Sequence, residues 1–190
     1  MRVCDPANER LPARGSACPG QESSWVSSAF FMGNGASALD GKGRFALPMS
    51  FRSVLNAHSS EPGSMLVRAD PSRKYVSVFG DKQLEFFQSK ADEAAHIALT
   101  RGDDFDAEQA DTDFWSTIKP ITIDSGGRFS LPPAFRRIYG ITDAIFIVGS
   151  GRLAQLWDPE RFLAENSKNL LAIEECETFL AELKSKREGR

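Results

Sequence analysis

The chain of 190 residues is long enough for one ordinary domain or two small ones, and its 41% hydrophobic and 26% charged residues are ordinary for a globular protein. A formal net charge of −3 argues against a nucleic-acid partner unless positive charge is concentrated locally. No stretch approaches the roughly 20 apolar residues that span a bilayer, and Cys4, Cys18 and Cys176, which show no CxxC spacing, read as free thiols in a reducing compartment.

Residues 1–28 are rich in Pro, Gly, Ser and charge without apolar period, which predicts a disordered N-terminal extension; Met32 is an alternative start. Arg2 is followed by no apolar core, and Pro6, Pro12 and Pro19 interrupt the segment, so no secretion signal is expected and the compartment is read as cytoplasmic. From Ala29 the pattern changes. Phe45 and Leu47 form a short strand that runs into a helix, where Phe51, Val54 and Leu55 recur at helical spacing. Pro48, like Pro132 later, suits the first turn of a helix. "SMLVRA" (64–69) and "KYVSVFG" (74–80) are strands split by the turn "DPSR". Asp81 is expected to cap an amphipathic helix with Leu84, Phe87, Ala91, Ala94 and Ala95 on one side.

An acidic linker, "RGDDFDAEQADTD" (101–113), follows. "PITIDSGGRFSL" (120–131) is a strand, turn and strand, and "PPAFRRIYG" (132–140) a short helix ended by Gly140. "AIFIVGS" (144–150) and "RLAQLWD" (152–158) make a hairpin around Gly151. Asp158 and Pro159 then start one long C-terminal helix, with apolar positions Phe162, Leu163, Leu170, Leu171, Ile173, Phe179, Leu180 and Leu183. Its last turns carry Lys184, Lys186 and Arg187, where cations complement the helix dipole.

The same phrase occurs twice. Over the thirteen positions that start at Asp40 and at Asp124, eight are identical: Asp, Gly, Arg, Phe, Leu, Pro, Phe, Arg. Chance gives about one match, so the chain is an α+β tandem duplication with halves that each read β-β-α-β-β-α. The first half covers 29–100, the linker 101–113, the second half 114–162 and the C-terminal helix 163–190. Charge follows the repeat. Residues 81–113 carry a net −7, whereas 40–56 and 124–137 are each +2 islands. Steering and phosphate contact depend on the local field, so the acidic total does not exclude DNA.

In D-x-x-G-R-F-x-L-P the glycine permits a tight turn and close backbone approach, and the arginine follows at once on the outgoing strand. Alternation sends Phe45, Leu47, Phe129 and Leu131 to the core and Arg44 and Arg128 outward. Asp40 and Asp124 pair with the arginines or close the turns through their carboxylates. A single copy is satisfied by a structural salt bridge. Two copies around a pseudo-twofold axis address two phosphates or two guanine edges, because arginine binds guanine bidentately.

"ALDGKGRFALPMSFR" and "TIDSGGRFSLPPAFRRIYGI", followed by "VGS" and "LWDPERF", resemble the MraZ family of bacterial transcriptional regulators, whose halves are of the SpoVT/AbrB-like swapped-hairpin class. The resemblance covers about Phe31 to Phe162. It implies a pseudo-twofold swapped-hairpin β-barrel with peripheral helices, and a ring-like homo-oligomer associated with the nucleoid. It also implies binding to short direct repeats of promoter DNA, with repression of the division and cell-wall gene cluster. The implied DNA-binding residues are Lys42, Gly43, Arg44, Gly127 and Arg128, flanked by Arg52 and Arg136. Asp40, Asp124, Pro48 and Pro132 complete the signature. Gly126 stands where the family usually has a bulky polar residue, and a Gly-Gly pair implies a looser second turn that reads bases less well.

Other motifs carry less. His58 and His96 lie in no carboxylate or cysteine cluster, so no metal is expected. No nucleophile-and-base constellation or GxSxG is present, and "GNGASALDG" (33–41) lacks the GK[ST] of a phosphate loop, so neither enzyme chemistry nor a cofactor or small-molecule substrate is expected. Trp115, Trp157, Phe86, Phe87 and Phe114 read as core or subunit-interface groups. Arg73 and Lys74 are solvated turn charges. The alternative function is an oligomeric protein-interaction scaffold, recruiting partners through the acidic linker and the C-terminal helix without DNA.

Overall fold

The computed structural model describes residues 30–102 and 106–189, so the expectation for residues 1–28 lies outside the described residues. Runs rich in Val, Ile and Phe, such as Val76–Phe79 and Ala144–Ser150, become strands because branched and aromatic side chains suit a pleated, half-buried surface. Asn34–Ala38 and Leu153–Trp157 lack those residues and are strands through pairing with Ala144–Ser150. In chain order the strands are β1 (Asn34–Ala38), β2 (Phe45–Ala46), β3 (Ser64–Ala69), β4 (Val76–Phe79), β5 (Ile118–Thr122), β6 (Arg128–Phe129), β7 (Ala144–Ser150) and β8 (Leu153–Trp157). The helices are α1 (Met49–His58), α2 (Leu84–Arg101), α3 (Ala107–Ser116), α4 (Pro133–Tyr139), α5 (Pro159–Glu165) and α6 (Leu170–Glu188). The fold is mixed α and β.

Six strands form one antiparallel sheet in the order β1-β7-β8-β4-β3-β5, and β2 pairs with β6 in a separate ribbon. The pairing crosses between the halves. β1 lies on β7, with Ala36 opposite Phe146, while β5 lies on β3, with Leu66 opposite Pro120. β4 meets β8 in the middle, and all four residues of β4 are buried. The sheet is open, which corrects the expectation of a closed barrel. The ribbon strands are two residues long and ladder with each other, so they do not join the edges β1 and β5 into a cylinder.

The main core packs Phe45, Leu47, Phe51, Leu55, Phe129 and Tyr139 against the sheet residues Val67, Val78, Ile145 and Leu156. These side chains are 0–2% exposed, and burial of each contributes about 1.5–3 kcal/mol. Tyr139 donates its hydroxyl to the carbonyl of Asp70 at 3.0 Å, which satisfies the one polar atom it brings into the core. A second cluster, Phe146, Trp157, Phe162, Ala172 and Cys176, seats α5 and α6 on the other face.

Three local expectations are corrected and one is refined. Asp81 does not cap α2. It starts a single 3-10 turn, Asp81–Gln83, and its Oδ1 accepts from the Ser60 N–H at 2.7 Å. α2 has no fully buried residue among the described ones. Phe87 packs on Phe79 with ring centroids 4.8 Å apart, and the side it shares with Leu84, Ala91 and Ala95 is half-buried, while Ile97 and Leu99 are exposed. Much of the acidic linker is helical: the Asp106 carboxylate accepts from Gln109 N–H and starts α3, on which Trp115 is 45% exposed. The C-terminal helix is two helices. Asn166 ends α5, and Asn169 starts α6 by accepting from Ala172 N–H, because Asn side chains compete for backbone hydrogen bonds. In α6 Ala172 and Cys176 are the buried positions, whereas Leu170 and Leu171 are 75% and 68% exposed.

Candidate nucleic-acid interface

Both repeated phrases fold into the same turn. In the first, Gly43 has φ 74°, its N–H donates to the Asp40 carbonyl at 3.0 Å, and Asp40 N–H donates to the Arg44 carbonyl at 2.8 Å. In the second, Gly127 has φ 79°, with the matching bonds at 2.8 and 2.9 Å to Asp124 and Arg128. A positive φ at these positions suits glycine and strains other residues. The aspartate side chains close the turns from inside. Asp40 Oδ1 accepts from the N–H groups of Lys42 and Arg44, both at 2.9 Å, and Asp124 Oδ1 accepts from Arg128 N–H at 2.8 Å. These backbone donors, above all Arg44 N–H for Asp40 and Arg128 N–H for Asp124, hold both carboxyls below the usual aspartate value, so both are ionised at neutral pH.

The β2–β6 ribbon brings the turns together. Phe45 pairs with Phe129, and Leu47 N–H donates to the Gly127 carbonyl at 2.8 Å. Arg44 therefore reaches both carboxylates. Its Nε and Nη2 donate to Asp40 Oδ2 at 3.0 and 2.8 Å, and its Nη1 donates to Asp124 Oδ2 at 3.0 Å. Arg128 does not mirror this: its Nε lies 4.0 Å from Asp40 Oδ2. The side chains are 29% exposed for Arg44 and 49% for Arg128.

The flanking signature residues shape the turns. Arg52 donates from Nη1 to the Ser125 carbonyl at 3.3 Å, and its stem lies against Gly127, where an added Cβ would stand 2.4 Å from Arg52 Cδ. Arg136 donates to the carbonyls of Ile141 and Thr142, with its guanidinium 5.9 Å from the Phe45 ring centroid. Pro48 and Pro132 stand just before α1 and α4, with ψ of 152° and 141°, one position earlier than the first helical turn. Pro133 takes that place in the second half. Pro48 also fills the space above Gly35, where an added Cβ would be 2.7 Å from its Cγ.

The repeat gave no signal for Asp143, whose carbonyl accepts from Leu39 N–H at 2.7 Å and whose carboxylate accepts from Arg187 Nη2 at 2.6 Å. It anchors the residue that precedes the first turn, and it has no counterpart in the duplicated phrase. Among the described residues no group of three His, Cys, Asp or Glu side chains is placed to hold a metal, and no helix is long and apolar enough to cross a membrane.

No protein-family model matches the chain. It is 31% identical over 131 residues to the transcriptional regulator MraZ of Gluconacetobacter diazotrophicus, covering 68% of this chain and 78% of that protein. It is 31% identical over 134 residues to the transcriptional regulator MraZ of Gluconobacter oxydans, covering 70% and 77%. Against the transcriptional regulator MraZ of Ruegeria pomeroyi it is 28% identical over 151 residues, covering 76% and 85%.

Proposed function

The chain belongs to the MraZ family of transcriptional regulators, and from that premise we propose that it binds double-stranded DNA sequence-specifically through its paired D-x-x-G-R turns. The observation that carries this reading is the ribbon that sets Asp40–Arg44 beside Asp124–Arg128 as one surface. Gly43 and Gly127 let the backbone approach the duplex closely, and Lys42, Arg44 and Arg128 supply the charge. Arg52 and Arg136 flank the turns; Arg52 ties down the second one through the Ser125 carbonyl, and Arg136 holds the segment after α4 through the Ile141 and Thr142 carbonyls. Phosphate contacts position the protein and base contacts give the sequence preference.

The finer terms follow from the family. The halves, at 29–100 and 114–162, are SpoVT/AbrB-like swapped hairpins, and 163–190 is a C-terminal extension; the crossed pairing of β1 and β5 supports this. The protein acts in the cytoplasm, at the nucleoid, as a repressor of the division and cell-wall gene cluster. A protomer of this size offers few contacts, so affinity depends on several subunits that engage repeated half-sites at once. A ring-like homo-oligomer provides them. Its support is α2, which has no fully buried residue among the described ones and leaves Ile97 and Leu99 43% and 62% exposed.

Anisotropy titration of duplex DNA from immediately upstream of the gene tests the reading. Log K is expected to fall by about 0.9 per phosphate contact per log unit of salt. Absent or salt-independent binding overturns it in favour of a protein-interaction scaffold.

A further inference from the structure

The two turns are not equivalent, and the difference is written at one position. Aligning Asp40–Arg44 with Asp124–Arg128 sets Lys42 opposite Gly126. In the second turn an added Cβ at Gly126 would stand 2.6 Å from Arg128 Nη1, so the missing side chain is what lets Arg128 fold across the turn. In the first turn Lys42 fills that place.

The arginines also differ in what they hold. Arg44 spends three of its five N–H groups on Asp40 and Asp124, one carboxylate from each turn. Among the described residues the Arg128 guanidinium donates no hydrogen bond, and its nearest carboxylate oxygen is at 4.0 Å. Withdrawing Arg44 to serve a ligand breaks charge-assisted bonds and leaves two carboxylates facing each other. Offering Arg128 breaks none. Lys42 likewise makes no side-chain ion pair among the described residues.

Resting on the DNA-binding reading above, we propose a division of labour: Arg44 is a positioning residue that clamps the two turns together, Arg128 is the residue that recognises a base, and Lys42 anchors phosphate. The chemistry suits each part. A guanidinium with its fork free matches the O6 and N7 edge of guanine, whereas an ammonium is a point charge suited to phosphate. The Gly-Gly turn, expected to read bases less well, is then the reading turn.

The test compares wild type, Arg128→Lys, Arg44→Lys and Lys42→Ala on the upstream duplex and on a scrambled duplex of equal composition, with Tm measured for each. Arg128→Lys is expected to keep the salt slope and the Tm but to lose about tenfold or more of the discrimination between duplexes. Lys42→Ala should weaken both duplexes equally and reduce the slope by about 0.9. Arg44→Lys should lower Tm while its discrimination stays above that of Arg128→Lys. Adding Asp124→Asn should lower Tm less in Arg44→Lys than in wild type, because the shared bond is already gone. Discrimination lost more in Arg44→Lys than in Arg128→Lys overturns the assignment. Wild-type protein that does not discriminate at all overturns the DNA-binding reading itself.

Discussion

Arg187, near the end of the C-terminal helix, donates to Asp143 at 2.6 Å, and through Asp143 the helix is tied to Leu39 and the first turn. At the other end of β1, Asn34 donates to Glu175 of the same helix at 2.9 Å. α6 is thus a strap along the edge strand that leads into the first turn.

The polar ends of the strap contribute little and its apolar middle contributes most. Arg187 and Asp143 are both about half exposed, so Arg187→Ala should cost less than about 1 kcal/mol. A chain ending at Asn166 uncovers Phe146, Trp157 and Phe162 and should be destabilised by several kcal/mol. Urea unfolding of the two variants checks this; equal losses would mean that the ion pair, and not the apolar seat, holds the helix.

The two adjacent glycines should respond differently to alanine. At Gly127 a side chain meets both a φ of 79° and the stem of Arg52, so Gly127→Ala should cost at least about 1–3 kcal/mol. Gly126 lacks the positive φ, and its obstacle is the mobile tip of Arg128. Gly126→Ala should stay within about 1 kcal/mol of wild type yet weaken discrimination between duplexes, as read by denaturation and DNA titration side by side.

The ribbon that joins the turns depends on Phe45 and Phe129, which are 0% and 1% exposed with ring centroids 6.1 Å apart. Either substitution by Ala should cost about 3–5 kcal/mol, through lost burial and the cavity left behind. Because the rings touch, the double variant should lose less than the sum. Strict additivity in chemical denaturation would contradict the packing.

Alkaline pH should unfold the protein through two buried groups. Burial pushes the Cys176 thiol from 9.0 up to about 12 and the Tyr139 hydroxyl from 10.0 up to about 12. The unfolded chain ionises first, so the stability these groups contribute is complete below about pH 9 and is lost as pH rises toward 12. Each group steepens the loss by about 1.4 kcal/mol per pH unit while it is ionised only in the unfolded state. In a Cys4→Ser, Cys18→Ser background the remaining thiol should react with a thiol reagent at the rate of unfolding, and Cys176→Ala should flatten the alkaline slope. An unchanged slope would show that the thiol is not buried as described.

Local chemistry made much of this protein readable in one dimension. Ser64–Ala69 alternates and Ala144–Ser150 is branched and apolar as strands are, Gly140 ends its helix, and the doubled D-x-x-G-R phrase marks the two matching turns, because each depends on neighbours a few residues away. Partner choice between distant residues was not readable. Nothing in the phrase says that Arg44 hydrogen-bonds both Asp40 and Asp124 while Arg128 only stands 4.0 Å from Asp40, or that Asp143 receives Leu39 from one side and Arg187 from the other. Nor does periodicity distinguish the apolar side of α2, which is only half-buried, from the fully buried pair Ala172 and Cys176 of α6. Those outcomes were decided when β2 met β6 and the strands crossed between halves, since hydrogen bonds and burial between residues distant in sequence, 80 positions for Arg44 and Asp124 and 44 for Asp143 and Arg187, exist only once the chain has folded back on itself.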